Sequence, residues 1–130
     1  MADKKYKILI VDDDEFLLNM YLLKFRKEGL DVEIATGGQA ALAKLKAGYI
    51  PDVLILDIVM PTMDGLELLE EVKKQKLAVS SIIIVLTNQG AEQDIERAKK
   101  LGIDGYIVKA STIPSEVLAE VLRILKERKK

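Results

Sequence analysis

The sequence predicts a single doubly wound α/β domain, and three observations carry that prediction. Short runs rich in Val, Ile and Leu alternate with longer segments whose apolar residues recur three and four positions apart. Glycines close several of the longer segments, and Pro114 opens the last of them. The chain of 130 residues has the length of one ordinary domain, so it can bury a real core without disulfide or metal staples. Strict alternation of strands that are apolar on both faces with helices implies a parallel sheet covered on each side and joined by right-handed crossovers.

Taken in order, residues 6–11 (YKILIV) form the first predicted strand and 14–29 (DEFLLNMYLLKFRKEG) the first helix. Eight of the ten residues from Phe16 to Phe25 are apolar, more than one buried stripe requires. The second strand is expected over 31–35 (DVEIA), with a helix in GGQAALAKLKAG after it. Residues 52–56 (DVLIL) give the third strand, and DGLELLEEVKKQK the third helix. The fourth pair is 81–86 (SIIIVL) with GAEQDIERAKKLG, and the fifth is 105–108 (GYIV) with IPSEVLAEVLRILKERKK. Gly29, Gly48 and Gly102 each follow a periodic segment, as a helix stop should. Gly65 reads as a residue permitting positive φ in the MDG turn, and Pro61 as a stiffener of that loop.

Composition narrows the function. The chain has no cysteine and no histidine, which removes disulfides, thiolate nucleophiles, zinc sites and any histidine acid, base or phosphoryl carrier of its own. Any metal must be held by oxygen. A net charge of −1 provides no positive field for nucleic acid or an anionic membrane. The charged start MADKKYK, followed by a short apolar run, resembles neither a secretory signal nor a membrane span. A cytoplasmic location is the expectation.

The residues at the carboxyl ends of the strands are informative. The first strand ends on Asp12 and Asp13, the third on Asp57, the fourth on Thr87 and the fifth on Lys109. Open α/β sheets bind ligands at that edge, beside the point where the strand order reverses. With a strand order of 2-1-3-4-5, the four contributing strands are neighbours. Three carboxylates meeting there would repel one another and raise one another's pKa unless a cation held them, and hard oxygen donors suit Mg2+, with Mn2+ as a substitute. Lys109 then adds a second cation and Thr87 a hydroxyl, which together suit a phosphoryl group.

The ordered set ILIVDDD, LDIVMPTMDG, VLT and GYIVK resembles the receiver domain of bacterial two-component response regulators, over nearly the whole of residues 1–130. The resemblance implies a flavodoxin-like sandwich that is a phosphoacceptor switch rather than an enzyme acting on a separate substrate. It implies that Asp57 accepts the phosphoryl group and that Asp12, Asp13 and the backbone carbonyl of Val59 complete the protein ligands of the metal. It further implies that Lys109 pairs with carboxylate or phosphoryl oxygens, that Thr87 bonds the phosphoryl group after transfer, and that Tyr106 moves inward with Thr87 as a rotamer switch. Because the chain has no histidine, the donor is expected on a sensor histidine kinase or a histidine phosphotransfer protein, or is a small acyl phosphate. The apolar surplus of the first helix is a candidate dock for the kinase's helical hairpin. With no output domain in the sequence, the message is expected to pass to a downstream protein through the fourth helix, fifth strand and fifth helix.

The sequence departs from the family after Lys109, where Ala110 replaces the usual proline. A cis bond before alanine costs about 2.5 to 4 kcal/mol against about 0.5 to 1 before proline. A trans Lys109–Ala110 bond and a rearranged KASTIP loop are therefore expected. Three other functions compete. One is an interaction module with this fold that signals without phosphate. An aspartyl phosphatase would want a second aspartate at the position of Val59. A flavodoxin-like cofactor carrier would want a Ser/Thr/Gly-rich loop where VDDDE stands.

Overall fold

Five strands and five helices alternate without exception in the computed structural model, which describes residues 5–87, 92–109 and 113–128. They are β1 (Lys7–Asp12), α1 (Glu15–Lys27), β2 (Asp31–Thr36), α2 (Gly38–Lys46), β3 (Val53–Leu56), α3 (Gly65–Lys74), β4 (Ile82–Thr87), α4 (Glu92–Leu101), β5 (Gly105–Val108) and α5 (Pro114–Arg128). The strands form one parallel sheet in the order β2-β1-β3-β4-β5. Both the fold and the order match the expectation from sequence. The Lys109–Ala110 bond and residues 110–112 of the KASTIP loop lie outside the described residues.

Alternation along each strand divides the core into two layers, since successive side chains leave a strand on opposite faces. Ile8, Ile10, Val53, Ile55, Ile82 and Ile84 pack on one face against Leu18 and Phe25 of α1 and Val117 and Val121 of α5. Leu9, Val11, Leu54, Leu56, Ile83 and Val85 pack on the other against Leu45 of α2, Leu66 and Leu69 of α3 and Ala98 of α4. The three inner strands are apolar on both sides for this reason. The margins β2 and β5 are only partly buried, which is why their sequences admit Glu33 and Tyr106.

Local chemistry sets where the helices begin. Asp14 precedes α1, and its Oδ1 accepts the Leu17 N–H at 3.2 Å. Asp64 and Glu67 form a reciprocal capping box at the start of α3, with bonds of 2.8 and 3.0 Å. Pro114 is the first residue of α5, where no intrahelical N–H bond is lost. Gly29, Gly48 and Gly102 follow α1, α2 and α4 with positive φ.

One loop departs from the expectation. Gly65 is not among the glycines with positive φ. Its missing side chain serves a close approach instead: a Cβ there would stand 2.0 Å from the carbonyl oxygen of Asp57. The positive φ of this loop falls on Thr62, at +70°.

Candidate metal and phosphoacceptor site

Strand register brings the polar residues together. Val11 of β1 lies beside Leu56 of β3, and the Asp57 N–H continues the ladder by donating to the Val11 carbonyl at 3.0 Å. Asp12 and Asp57 therefore leave adjacent strands at the same level. Thr87 ends β4 beside Val108, and Lys109 is the next residue of the chain. These side chains meet because a parallel sheet aligns its carboxyl ends.

The result is a cavity of about 530 Å³ lined by Asp12, Asp13, Asp57, Val59, Thr87 and Lys109, all six of the residues that the sequence placed at the centre. Oxygens of Asp12, Asp13 and Asp57 lie within 4.8 Å of one another. Lys109 Nζ donates to Asp12 Oδ2 at 2.9 Å and to Asp57 Oδ2 at 3.3 Å. Asp12 Oδ1 accepts the Asp14 N–H at 3.1 Å. Asp12 is 2% exposed and Asp57 5%, whereas Asp13 is open to solvent.

Burial, and next the charge of Asp12, push the Asp57 carboxyl up to about 6, against the opposing pull of Lys109 and a hydrogen bond from the Val59 backbone. Burial also works against the Lys109 ammonium, yet its bonds and its attraction to the two carboxylates outweigh that, so its pKa is raised. The carboxylates hold Lys109 in its charged form, whereas Asp57 carries its charge against burial and the neighbouring Asp12. Asp57 is still ionised at neutral pH.

Tyr106 is set apart from the cavity. It lies on β5 beside Val85, half-buried against the second core layer. Its phenol oxygen is buried with no hydrogen-bond partner among the described residues. Leu17 and Asp14 also border the cavity, and the sequence reasoning did not assign them there. Helix α1 begins three residues after Asp12, so its first turn overhangs the acid pair; that short spacing is the signal that would have found them.

The donor set fits a hard divalent cation. At a Mg–O distance of about 2.0 to 2.1 Å, octahedral ligands stand about 3 Å apart when adjacent and about 4 Å when opposite. The three carboxylates need little movement to reach that spacing.

The family model describing the response regulator receiver domain matches residues 8–122. The chain belongs to this family. Receiver domains are the phosphoacceptor signalling domains of two-component systems. The chain is 36% identical over 120 residues to the alkaline phosphatase synthesis transcriptional regulatory protein PhoP of Bacillus subtilis, covering 92% of this chain and 48% of that one. It is also 36% identical over 118 residues to the chemotaxis protein CheY of Halobacterium salinarum, covering 89% of this chain and 96% of that one. A CheY-like receiver domain protein from Methanospirillum hungatei superposes with a TM-score of 0.87 at 30% identity, over 97% of this chain and 98% of the other. The chain spans about half the length of the transcriptional regulators it matches. Among the described residues, no helix of this receiver domain is long and apolar enough to cross a membrane.

Proposed function

We propose that this receiver domain is a magnesium-dependent switch that takes a phosphoryl group on Asp57 from a phosphohistidine of a separate kinase or phosphotransfer protein in the cytoplasm. The convergence of Asp12, Asp13, Asp57, Thr87 and Lys109 on one cavity carries the proposal. In it, Asp13, Asp12, Asp57 and the Val59 carbonyl hold the cation, which when bound supplies positive charge to the phosphoryl oxygens.

The chain's own groups do the rest by position and charge. An ionised Asp57 oxygen attacks phosphorus in line as the donor's N–P bond breaks, and that bond's electron pair returns to the departing imidazole. The Lys109 ammonium remains beside the acceptor and stabilises charge on the transferred group, while the Thr87 hydroxyl bonds a phosphoryl oxygen once transfer is complete. The Val59 side chain, exposed at the rim, leaves the entrance open to a donor.

Helix α1 supports the choice of a macromolecular donor. It turns Leu18, Tyr21 and Phe25 inward and exposes Phe16, Met20 and Leu23, with Phe16 75% and Leu23 71% exposed. This apolar stripe starts beside the cavity and suits the docking of a helical hairpin that carries the phosphohistidine. Output is proposed to pass through α4, β5 and α5. The buried phenol oxygen of Tyr106, without a hydrogen-bond partner among the described residues, supports a role in that step, because leaving a buried hydroxyl unsatisfied costs about 1 to 3 kcal/mol and makes an alternative ring position competitive.

Incubation with acetyl phosphate and magnesium tests this function. Mass spectrometry of the intact chain is expected to find one acid-stable, base-labile phosphoryl adduct, absent from Asp57→Asn and from samples treated with a chelator. An unmodified wild-type chain and an amide spectrum unmoved by beryllofluoride with magnesium would instead favour a module that signals without phosphate.

A further inference from the structure

A net charge of −1 gives the molecule as a whole no positive field, but the fold separates the charges. The five strands are parallel and each is followed by a helix, so all five helices end at the amino edge of the sheet, opposite the acidic cavity. Each helix carries two or three basic residues in its last turn, and four of the five carry an acid in the first. A basic last turn complements one helix dipole. Five of them aligned make one end of the molecule positive and the other negative. Lys46, Lys73, Lys74, Lys76, Lys99 and Lys100 are exposed there and form no ion pair among the described residues. Lys73 Nζ comes within 3.5 Å of the Cβ position of Gly102, so the basic ends of α3 and α4 adjoin. Acids at this end are largely engaged: Asp52 Oδ2 accepts the Lys7 N–H at 2.9 Å, Glu33 pairs with Lys44 at 2.8 Å, and Asp104 Oδ2 accepts the Ile83 N–H at 2.9 Å. Glu28 and Asp31, exposed where α1 turns into β2, oppose the field at that margin of the sheet.

One of these lysines stands where the backbone favours glycine. Helices α1, α2 and α4 are followed by Gly29, Gly48 and Gly102 at positive φ, whereas α3 is followed by Lys76 at φ +56°, with the Leu77 N–H donating back to the Val72 carbonyl at 2.9 Å. Left-handed backbone is harder on lysine than on glycine, so position 76 gives up stability for a charge. The loop then presents Val79, 80% exposed, and the loop before β3 presents Ile50, 65% exposed. Ser81 Oγ donates to the Pro51 carbonyl at 2.5 Å and the Ile82 N–H to the Asp52 carbonyl at 2.9 Å, which ties the two loops together. At such exposure the two side chains stand clear of their neighbours and line no groove.

We propose that this amino-edge face docks on bilayers containing anionic lipid, with the lysines of α2, α3 and α4 against the headgroups and Ile50 and Val79 entering the interface. Charge complementarity selects the partner, and the kind of charge narrows it. Both arginines of the last turns are occupied within the chain, Arg26 at the Val32 carbonyl and Arg128 at Asp104. What remains are lysines, compact charges without the planar fork that reads single phosphates of nucleic acid or phosphopeptide. Spread over one end of the molecule around two projecting apolar tips, they match an extended negative surface whose interior accepts apolar side chains. The acidic carboxyl edge, where Asp13 is exposed, is repelled by the same surface. The bound domain therefore holds its phosphoacceptor cavity toward water.

Sedimentation of the whole chain with vesicles tests this surface. At about 0.05 M salt, binding to phosphatidylcholine vesicles containing about one-third phosphatidylglycerol is expected to exceed binding to phosphatidylcholine alone by about ten-fold or more, and to be lost at about 0.5 M salt. Lys76→Gly, which relieves the backbone and so keeps the fold, should weaken binding about three- to five-fold. The pairs Lys73→Gln with Lys74→Gln, and Ile50→Ser with Val79→Ser, should each weaken it about ten-fold. None of these residues lines the cavity, so labelling of Asp57 by acetyl phosphate should be unchanged in all of them. Wild-type protein gives an arm independent of variants: on anionic vesicles carrying a nitroxide lipid, the amide NMR signals of Ile50 and Val79 should broaden before those of Asp13 and Asp14. Equal binding to the two kinds of vesicle, or broadening that begins at the carboxyl edge, overturns the proposal. Retention on polyglutamate with no uptake by anionic vesicles assigns the face to an acidic protein and overturns lipid as its partner.

Discussion

Thr62 sits at φ +70° with the Met63 N–H donating to the Pro61 carbonyl at 2.8 Å, a three-residue γ-turn of the strained kind, centred on a β-branched side chain. Surrounding contacts hold it there: the Gly65 N–H bonds the Ile58 carbonyl at 2.8 Å, and Asp64 and Glu67 lock the first turn of α3. Strain of this sort costs roughly 1 to 3 kcal/mol, and glycine returns about 0.5 to 1 of that through the entropy of the unfolded chain. Thr62→Gly is therefore expected to stabilise the domain by about 1 kcal/mol, raising the melting temperature by about 3 to 5 °C in calorimetry. Gly65→Ala should do the reverse, by about 3 kcal/mol or more in urea unfolding, because its Cβ would overlap the Asp57 carbonyl. The sequence made the loop and its glycine legible but placed the positive φ on Gly65, whereas it falls on Thr62. A turn motif says that some residue takes positive φ; which one depends on how closely α3 approaches the end of β3, and that is a tertiary distance.

At the scale of elements, α1 separates what periodicity reveals from what it leaves open. Its excess of apolar residues was readable, and so was the division into core and surplus, because a helix turns only one stripe toward a sheet. The assignment of each residue to a face came from packing: Leu18, Tyr21 and Phe25 lie inward, Phe16, Met20 and Leu23 outward. Two substitutions on this helix should differ sharply. Phe25→Ala is expected to cost about 3 to 5 kcal/mol, whereas Leu23→Ser should stay within about 0.5 kcal/mol in the same denaturant titration. If the stripe receives a kinase, Leu23→Ser should also slow phosphoryl transfer from that kinase while leaving labelling by acetyl phosphate unchanged. Strand boundaries were legible to about one residue, and the error had a cause: Asp12, Thr36 and Thr87 look like strand terminators by composition but pair in register as the last residues of β1, β2 and β4.

For the molecule as a whole, the position of the site was legible and its charge state was not. Parallel strands deliver their carboxyl ends to one edge, so the sequence alone gathered Asp12, Asp13, Asp57, Thr87 and Lys109. How far a carboxyl departs from its ordinary pKa depends on burial and on distances of a few ångströms, and no spacing in sequence encodes these. The consequence reaches global stability. Burial, then Asp12, lift the Asp57 carboxyl from 3.8 to about 6 in the fold. The native state therefore binds more protons than the unfolded state between those two values, and stability falls as pH rises through that window. The group favours the fold fully below about pH 4 and imposes a penalty, on the order of 2 kcal/mol, above about pH 6. Asp57→Asn removes that penalty while keeping shape, so the variant should be the more stable of the two at neutral pH by about this amount. Urea unfolding of both chains at several pH values is expected to find the gap closing as pH falls from about 6 to about 4, where the wild-type carboxyl becomes neutral too. Added Mg2+ should narrow the same gap at neutral pH by stabilising the wild type preferentially, since a ligand of the ionised native site shifts the unfolding equilibrium by mass action. A gap that stays constant across the pH series would mean that Asp57 keeps an ordinary carboxyl pKa in the fold, and that burial at the sheet edge carries no electrostatic cost.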